Sequence, residues 1–568
     1  MRMRLFGILA AILLCHTARL CAQEEIIEHF GDHYVIYVDR LNPDPEMTLM
    51  DVLHLCPEML STDGNDITAN YILCIGNIDL LTDWEGILEQ VKACELSTIK
   101  IYNYPAVSQG SGATDGIIDL NFKDPEGTHG KAAIEGDTYG NGKLYADVNT
   151  KVKNVSIRAY ALTHMKYGKA YSTDDYMVKM RSGAENLYLN VSWDISERDN
   201  LNFNLVQGFS DEKAQAYGDS PEEVVNRQRW VNSNICYTRT LNDQDAYLAF
   251  ESYFHYISTV ISNIDQRFTI PTLNVEVGFP LFSQKMNVIV GWEADYLNQW
   301  YKNIGRSQML NNDFYAQLDY KNGPWLFTIG DRFRLINYWD KFYVSEDVTL
   351  WSYHRSNHAW HTSAGWQKNG HFIQGVFSRD YLLPDISDFF DDLNPARRIY
   401  NTGYKTNLYY TGELRYTYQR KDFTATGSLT HVWENDTPTG DKRMTGVKAA
   451  ATWRKGNFRL TMGADFYHDY EEDHGQDNYF HLKLAPTLLL GNGFRLSSVL
   501  IYSSKHPHTD EHPHLYASVK VNKNIGKHCN VFLDFHDIAG QPTGTLDQLA
   551  GSYKNRALTL GATFYWGK

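Results

Sequence analysis

The chain has 568 residues, with 53 Lys and Arg against 68 Asp and Glu and a formal net charge of −15. That balance excludes a nucleic-acid partner, because a polyphosphate needs a basic surface. Aromatic residues reach 14% while the mean hydropathy is only −0.44, which fits strands with one apolar and one polar face.

Met1-Arg2-Met3-Arg4 precede an apolar run from Leu5 to Leu14, and Cys21-Ala22 close it before Gln23. A basic start, an apolar stretch too short to cross a bilayer and small residues at its end predict a secretory signal, residues 1–22, cleaved after Ala22. Cys15 and Cys21 each follow a Leu, where lipid modification wants a small residue, so ordinary cleavage fits better. No later run approaches about 18 apolar residues, so no membrane-spanning helix is expected.

Residues 23–46 read as an acidic, irregular lead-in with one apolar burst at 34–38, closed by Pro43 and Pro45. From Met47 the positions Leu49, Val52, Leu53 and Leu55 keep helical spacing up to Pro57. Strands are predicted near 66–69 and over 71–75, with Gly76-Asn77 as a turn. A second helix is predicted over 83–94, with Trp84, Ile87, Leu88 and Val91 on one face. Cys56, Cys74 and Cys94 are either one disulfide with a thiol left over or three small buried residues.

The stretch 97–123 then reads as two strands joined by a connection carrying Gly110, Gly112 and Gly116. It lacks the Lys-Ser/Thr that a phosphate-cradling loop needs. Together these segments predict a small α+β domain over 47–124.

Beyond Pro125 the apolar period is two. Leu187, Leu189, Val191, Trp193 and Ile195 alternate with polar residues, as do Leu558, Leu560, Ala562, Phe564 and Trp566. Short turns at 151–154, 196–200, 240–243, 321–324, 368–370, 420–422, 454–457 and 490–493 alternate with longer connections at 166–183, 210–226, 299–312, 337–356, 435–442, 470–478 and 504–512. Such alternation predicts tight periplasmic turns and longer outer loops. The expected fold is all-β: a 22-stranded antiparallel transmembrane β-barrel over 125–568, roughly 20 residues per strand with its connection, preceded by the α+β plug. The segment 344–353 is placed in an outer loop, and the irregular 382–405 on the outer face between the thirteenth and fourteenth strands.

Residues 47–60 (MTLMDVLHLCPEML), 71–77 (YILCIGN), 86–106 (GILEQVKACELSTIKIYNYPA) and 112–123 (GATDGIIDLNFK) carry a family likeness. They resemble the plug of TonB-dependent receptors, in the short-plug branch, and 192–204 and 403–431 are similar to that branch's barrel. Ile99, Asn103, Pro105, Ala106, Gly116, Ile117 and Ile118 fill the family's places in the last two plug strands. Asn103-Tyr104 stand where relatives carry Arg-Gly, Asp115 replaces a Gly, and Lys100 replaces an acidic residue. The plug positions singled out are therefore Asn103, Pro105, Gly110, Gly112, Asp115 and Gly116. The resemblance implies the outer membrane of a gram-negative bacterium and import of a scarce nutrient through a plugged barrel. It implies TonB as a partner, although neither 25–28 nor 34–38 matches a TonB box well. The alternative is an uncoupled, receptor-like barrel that docks a surface lipoprotein or another partner.

Two groups are candidate ligand sites. His506, His508, His512 and His514, with Asp510 and Glu511, lie on an outer connection assigned between the twentieth and twenty-first strands. His468 and His474 lie on the neighbouring one. Imidazole and carboxylate suit a transition metal, but no fixed ligand spacing is present and a solvated loop reads equally well. Trp300, Tyr301, Trp339, Tyr343, Trp351 and Tyr353, with Tyr338, suit a glycan, haem or siderophore, or else an interfacial girdle. No cofactor is otherwise expected. His431, His468 and Ser503 form no nucleophile and base pair, so no enzyme is expected.

Overall fold

The structure, a computed structural model, describes residues 26–30, 33–41, 47–53, 72–75, 78–79, 91–102, 116–138, 140–171, 177–217, 223–243, 245–261, 264–282, 284–302, 305–344, 347–382, 407–420, 422–435, 442–471, 475–504, 514–535, 538 and 557–567. The plug is a six-stranded sheet of β1 (Ile27–His29), β2 (Tyr34–Tyr37), β3 (Ile72–Ile75), β4 (Ile78–Asp79), β5 (Leu96–Tyr102) and β6 (Ile117–Phe122). Its strand order is β1-β2-β5-β6-β3-β4. β3 runs parallel to β6, and the other pairs are antiparallel. Helices α1 (Val38–Leu41) and α2 (Leu49–Leu53) and a 3-10 turn (Ala93–Glu95) complete it.

Ile36, Val38, Leu49, Val52, Leu53, Leu73, Leu96, Ile99, Ile101, Ile118 and Leu120 are wholly buried in one core. Each such aliphatic contributes about 1.5–3 kcal/mol by leaving water. The sheet takes in residues read as a lead-in, because the run Tyr34–Tyr37 pairs with β5 from Ile36↔Ile99 to Tyr34↔Ile101. The strand predicted near 66–69 and residues 83–90 of the second predicted helix lie outside the described residues. That helix does not reach Cys94: Lys92 is extended and bridges Thr48.

The barrel strands up to the middle of the chain are β7 (Thr128–Asp137), β8 (Gly142–Val152), β9 (Val155–Tyr171), β10 (Met177–Asp194), β11 (Asp199–Tyr217), β12 (Glu223–Thr240), β13 (Tyr247–Ile261), β14 (Ile264–Leu281), β15 (Met286–Tyr301), β16 (Gly305–Asn322) and β17 (Trp325–Val344). Then come β18 (Asp347–Lys368), β19 (His371–Leu382), β20 (Asn407–Arg420), β21 (Phe423–Asn435), β22 (Lys442–Lys455), β23 (Phe458–Glu471), β24 (Gly475–Leu490), β25 (Phe494–Ser503), β26 (His514–Ile525), β27 (Cys529–Phe535) and β28 (Leu558–Gly567). Each pairs antiparallel with the next, and β28 closes on β7 from Thr559↔Asp137 to Gly567↔His129. The expected 22 strands are present.

Side-chain alternation explains why the barrel has two faces. On β17, Leu326, Thr328, Arg332, Arg334, Ile336 and Tyr338 are buried, while Trp325, Phe327, Ile329, Leu335 and Trp339 are exposed. A barrel in water would not display that outer set, but one in lipid must. Trp193, Trp325, Trp453 and Trp566 are exposed near the short-turn ends of their strands, where indole rings form a girdle at the lipid headgroups. The eight predicted short turns are all hairpin turns. At 369–370 both φ values are positive, 55° at Asn369 and 78° at Gly370, the left-handed pair that matches strand twist.

Two assignments need correction. The segment 344–353 is not an outer loop: Val344 ends β17 and 347–353 begin β18, a strand of 22 residues whose upper half pairs with β17 alone. Much of the other predicted long connections is strand as well, since hairpins climb past the apolar belt and there lose the alternation that marks them. The histidine-rich connection joins the nineteenth and twentieth barrel strands, β25 and β26, rather than the twentieth and twenty-first. The irregular 382–405 falls where expected, between β19 and β20, and beyond Leu382 it lies outside the described residues.

Candidate functional site

Among the described residues the plug meets the inner wall at two places built around charge, besides the approach of β4 to β12. On the first side Lys131 of β7, 2% exposed, reaches Glu95 of the plug and lies 3.5 Å from Asp147 on β8. Tyr145 donates its hydroxyl to Asp147 at 2.9 Å. One barrel ammonium thus joins a plug carboxylate to a barrel carboxylate. Around it Ala133, Tyr145, Tyr160, Leu162, Tyr188 and Val206 continue the plug core onto the wall, and Arg158 stacks 3.6 Å over Phe122 of β6.

On the second side the edge strand β1 faces β16, β19 and β20. Lys321 pairs with Glu28 at 2.9 Å. Burial alone would raise the Glu28 carboxyl, but hydrogen bonds from Lys321 and Tyr37 hold it below its usual value. The Gln419 amide, turned so that both ends are satisfied, donates to Ile27 O at 3.2 Å and accepts from Ile26 N at 2.9 Å. It caps an edge that would otherwise offer bare backbone groups.

His29 stacks on Phe372 with ring centroids 3.7 Å apart. Tyr34 and Arg415, itself held by Glu413, also face it. Burial, and then the Arg415 guanidinium, push its imidazole well below the usual range, so it docks neutral. Docking stability from neutral His29 is therefore complete above the unfolded-state value near 6.5 and falls as pH drops below it, by up to about 1.4 kcal/mol per pH unit. Protease cleavage of the plug should accelerate between pH 7 and 5. His29→Phe should remove most of that acceleration, because Glu28 titrates only at lower pH.

Above these contacts the wall carries a closed charge cluster. Asn274, Glu293, Asp313 and Arg334 share one cross-strand row from β14 to β17. Arg334 Nε donates to Asp313 at 2.6 Å, and Arg332 reaches both Asp313 and Glu293, the latter at 2.8 Å. Tyr315 donates to Glu276 at 2.9 Å. Its ring crosses Gly291, where a Cβ would come within 2.3 Å of the hydroxyl.

The residues singled out as a binding surface do not form one. Tyr301 points inward, 4% exposed, and its hydroxyl accepts from Gln266 and Gln299 at 2.9 Å. Tyr338 also points inward, and Ser307 donates to its hydroxyl at 2.8 Å. Trp300 and Trp339 alternate to the outer face, Trp300 beneath Arg267 at 5.1 Å. The backbones of Tyr343, Trp351 and Tyr353 belong to β17 and β18, and their side chains lie outside the described residues.

Of the proposed metal ligands, His468 is on the outer wall and bonds Asn478 at 3.0 Å. His474, His506, His508 and His512 lie outside the described residues, as does the side chain of His514. Among the described residues no three His, Cys, Asp or Glu gather as a metal site. Of the plug positions only Gly116 is described, with φ 139°; Asn103, Pro105, Gly110, Gly112 and Asp115 are not. The thiol of Cys94 is free, and Cys56 lies outside the described residues. Lys131, Glu95, His29 and the Asp313 cluster escaped the sequence reading. The one available signal was charge placed at alternate positions inside strands, as in Arg332-Phe333-Arg334.

No family model matches the chain, and no curated protein matches it. Solved structures do. The siderophore receptor PirA from Pseudomonas aeruginosa superposes with a TM-score of 0.68 at 13% identity, over 96% of this chain and 100% of that one. The alcaligin outer-membrane receptor FauA from Bordetella pertussis gives 0.67 at 10% identity, over 95% of both chains. The copper transporter OprC gives 0.68 at 11% identity, over 88% of this chain and 90% of that one. At such identities the likeness concerns architecture, and the chain has the plugged, 22-stranded barrel fold of the TonB-dependent outer-membrane receptors.

Proposed function

We propose that this protein is an outer-membrane import receptor that captures a scarce nutrient, such as a metal complex, siderophore, haem or glycan, and admits it when the plug rearranges. The observation that carries the reading is a stopper held inside a closed barrel by discrete ion pairs, one histidine stack and one apolar patch of wall. A barrel of this size is open unless plugged. Siderophore and copper transport by the structural neighbours supports a metal complex as cargo. The imidazole and carboxylate composition of the outer connection at 505–513 points the same way.

A deletion strain should grow poorly when one of iron, copper, haem or glycan limits growth, and the intact gene should restore it. Normal growth across that panel would refute import. A second reading, an uncoupled docking barrel, is favoured by one feature: the two poor TonB-box matches are largely built into β1 and β2. Capture of TonB by the full-length protein in a pull-down would reject it.

A further inference from the structure

Of the two arcs of the wall that the anchored sides leave, β12 to β15 and β21 to β28, the first begins next to Val206 of β11 with a group of polar residues on β12 and β13. There Asn232 is 0% and Asn234 1% exposed, and neither the oxygen nor the nitrogen of either amide has a hydrogen-bond partner. Trp230, 2% exposed, leaves its indole N–H unpartnered, and His255 leaves Nδ1 so. Asn232 is directly opposite His255, and Asn234 directly opposite Asn204. Trp230 lies flat over Gly208, whose missing side chain would fall 2.1 Å from the indole.

A dry apolar interface would not collect this set. Each buried, unpaired polar group is costly, and native proteins satisfy such groups with ordered water. On the flanks the choice of residue is opposite: Tyr145, Tyr160 and Leu162 pack with the plug core on one side, and Lys321 and Gln419 bond the edge strand on the other.

We infer that the plug parts from the barrel along β12 and β13, where Asn232, Asn234, Trp230 and His255 line a hydrated polar seam down which cargo passes. These four side chains offer donors and acceptors on the same face of the wall as the Glu251 carboxylate, which accepts from Cys236 and Tyr253, so the seam fits a cargo that moves with its own water or presents hydroxyl groups. Passage of cargo rests on the import reading, whereas the seam itself does not.

The test therefore uses no cargo. Full-length Asn232→Cys, Asn234→Cys and Ala133→Cys variants, checked for folding by heat-modifiable mobility, are exposed in detergent to a small charged methanethiosulfonate. Labelling is read peptide by peptide. Ala133 is buried among the plug-core contacts, so its cysteine is the dry control. The seam variants should label at least ~10-fold faster, and equal rates would overturn the seam.

Hydrogen exchange of the unmodified protein tests the parting side. β2 and β3 each stand second from an edge of the plug sheet, so edge fraying affects them alike. Amides of β3 should exchange at least ~10-fold faster than those of β2, because β4 beside it faces β12. Equal or reversed protection would overturn the assignment. A failed growth panel with both these results intact would remove the importer and leave the seam.

Discussion

Replacing Lys131 with methionine should loosen the plug from the barrel by about 3–5 kcal/mol, the cost of leaving buried charge uncompensated. The ammonium is almost wholly buried and is flanked by two carboxylates, Glu95 from the plug and Asp147 from the wall. Without it the two acids face each other in a confined space, and Tyr145 can donate to only one of them. In hydrogen exchange the amides of β5, which Glu95 immediately precedes, should open roughly 10²–10⁴-fold more often. The barrel itself should keep its folded mobility. Lys131→Arg should hold most of the protection. Lys131→Met with Glu95→Gln should recover a large part of it, because the second change removes one of the stranded charges. Unchanged exchange in Lys131→Met would show that the plug is held elsewhere.

The barrel could be read from the sequence because lipid enforces a rule that one chain shows many times. Every strand must turn apolar residues outward, as Phe327 and Ile329 do, so the period of two recurs. Turns such as Asn369-Gly370 punctuate it with residues that tolerate positive φ. The site was less legible because its parts are far apart in sequence. Lys131 and Glu95 are separated by 36 residues, and Gln419 and Ile27 by 392. Nothing local marks such a pair, whereas plug motifs such as the run into Ile117-Ile118 are local and were readable. The aromatic set failed for a related reason. Neighbours such as Trp300 and Tyr301 look alike in composition, but a pleated strand sends them to opposite faces. The pair looks like two members of one surface, yet only Tyr301 faces the lumen.

Replacing Asp313 with leucine should destabilise the barrel by about 3–5 kcal/mol, for the mirror-image reason. Asp313 has no exposed surface and accepts from both Arg332 and Arg334. Its loss leaves two guanidinium groups in the wall with Glu293 and the more distant Asp295, 3.9 Å from Arg334, as their remaining partners. Unfolding in urea should shift accordingly, with the unfolded fraction at a given concentration rising at least ~100-fold. The informative variant combines Asp313→Leu, Arg332→Met and Arg334→Met with Glu293→Gln and Asp295→Asn, because the two arginines also pair with those carboxylates. Replacing a buried ion cluster as a unit removes the desolvation cost together with the attraction, so it should lie near the parent or above it. A combined variant as unstable as Asp313→Leu alone would mean that the shape of the cluster, rather than its charge balance, supports this part of the wall. If the charge balance is what matters, β15 to β17 form a rigid pillar beside the anchored edge of the plug. Rigidity there is what an opening confined to the neighbouring strands, β12 and β13, requires.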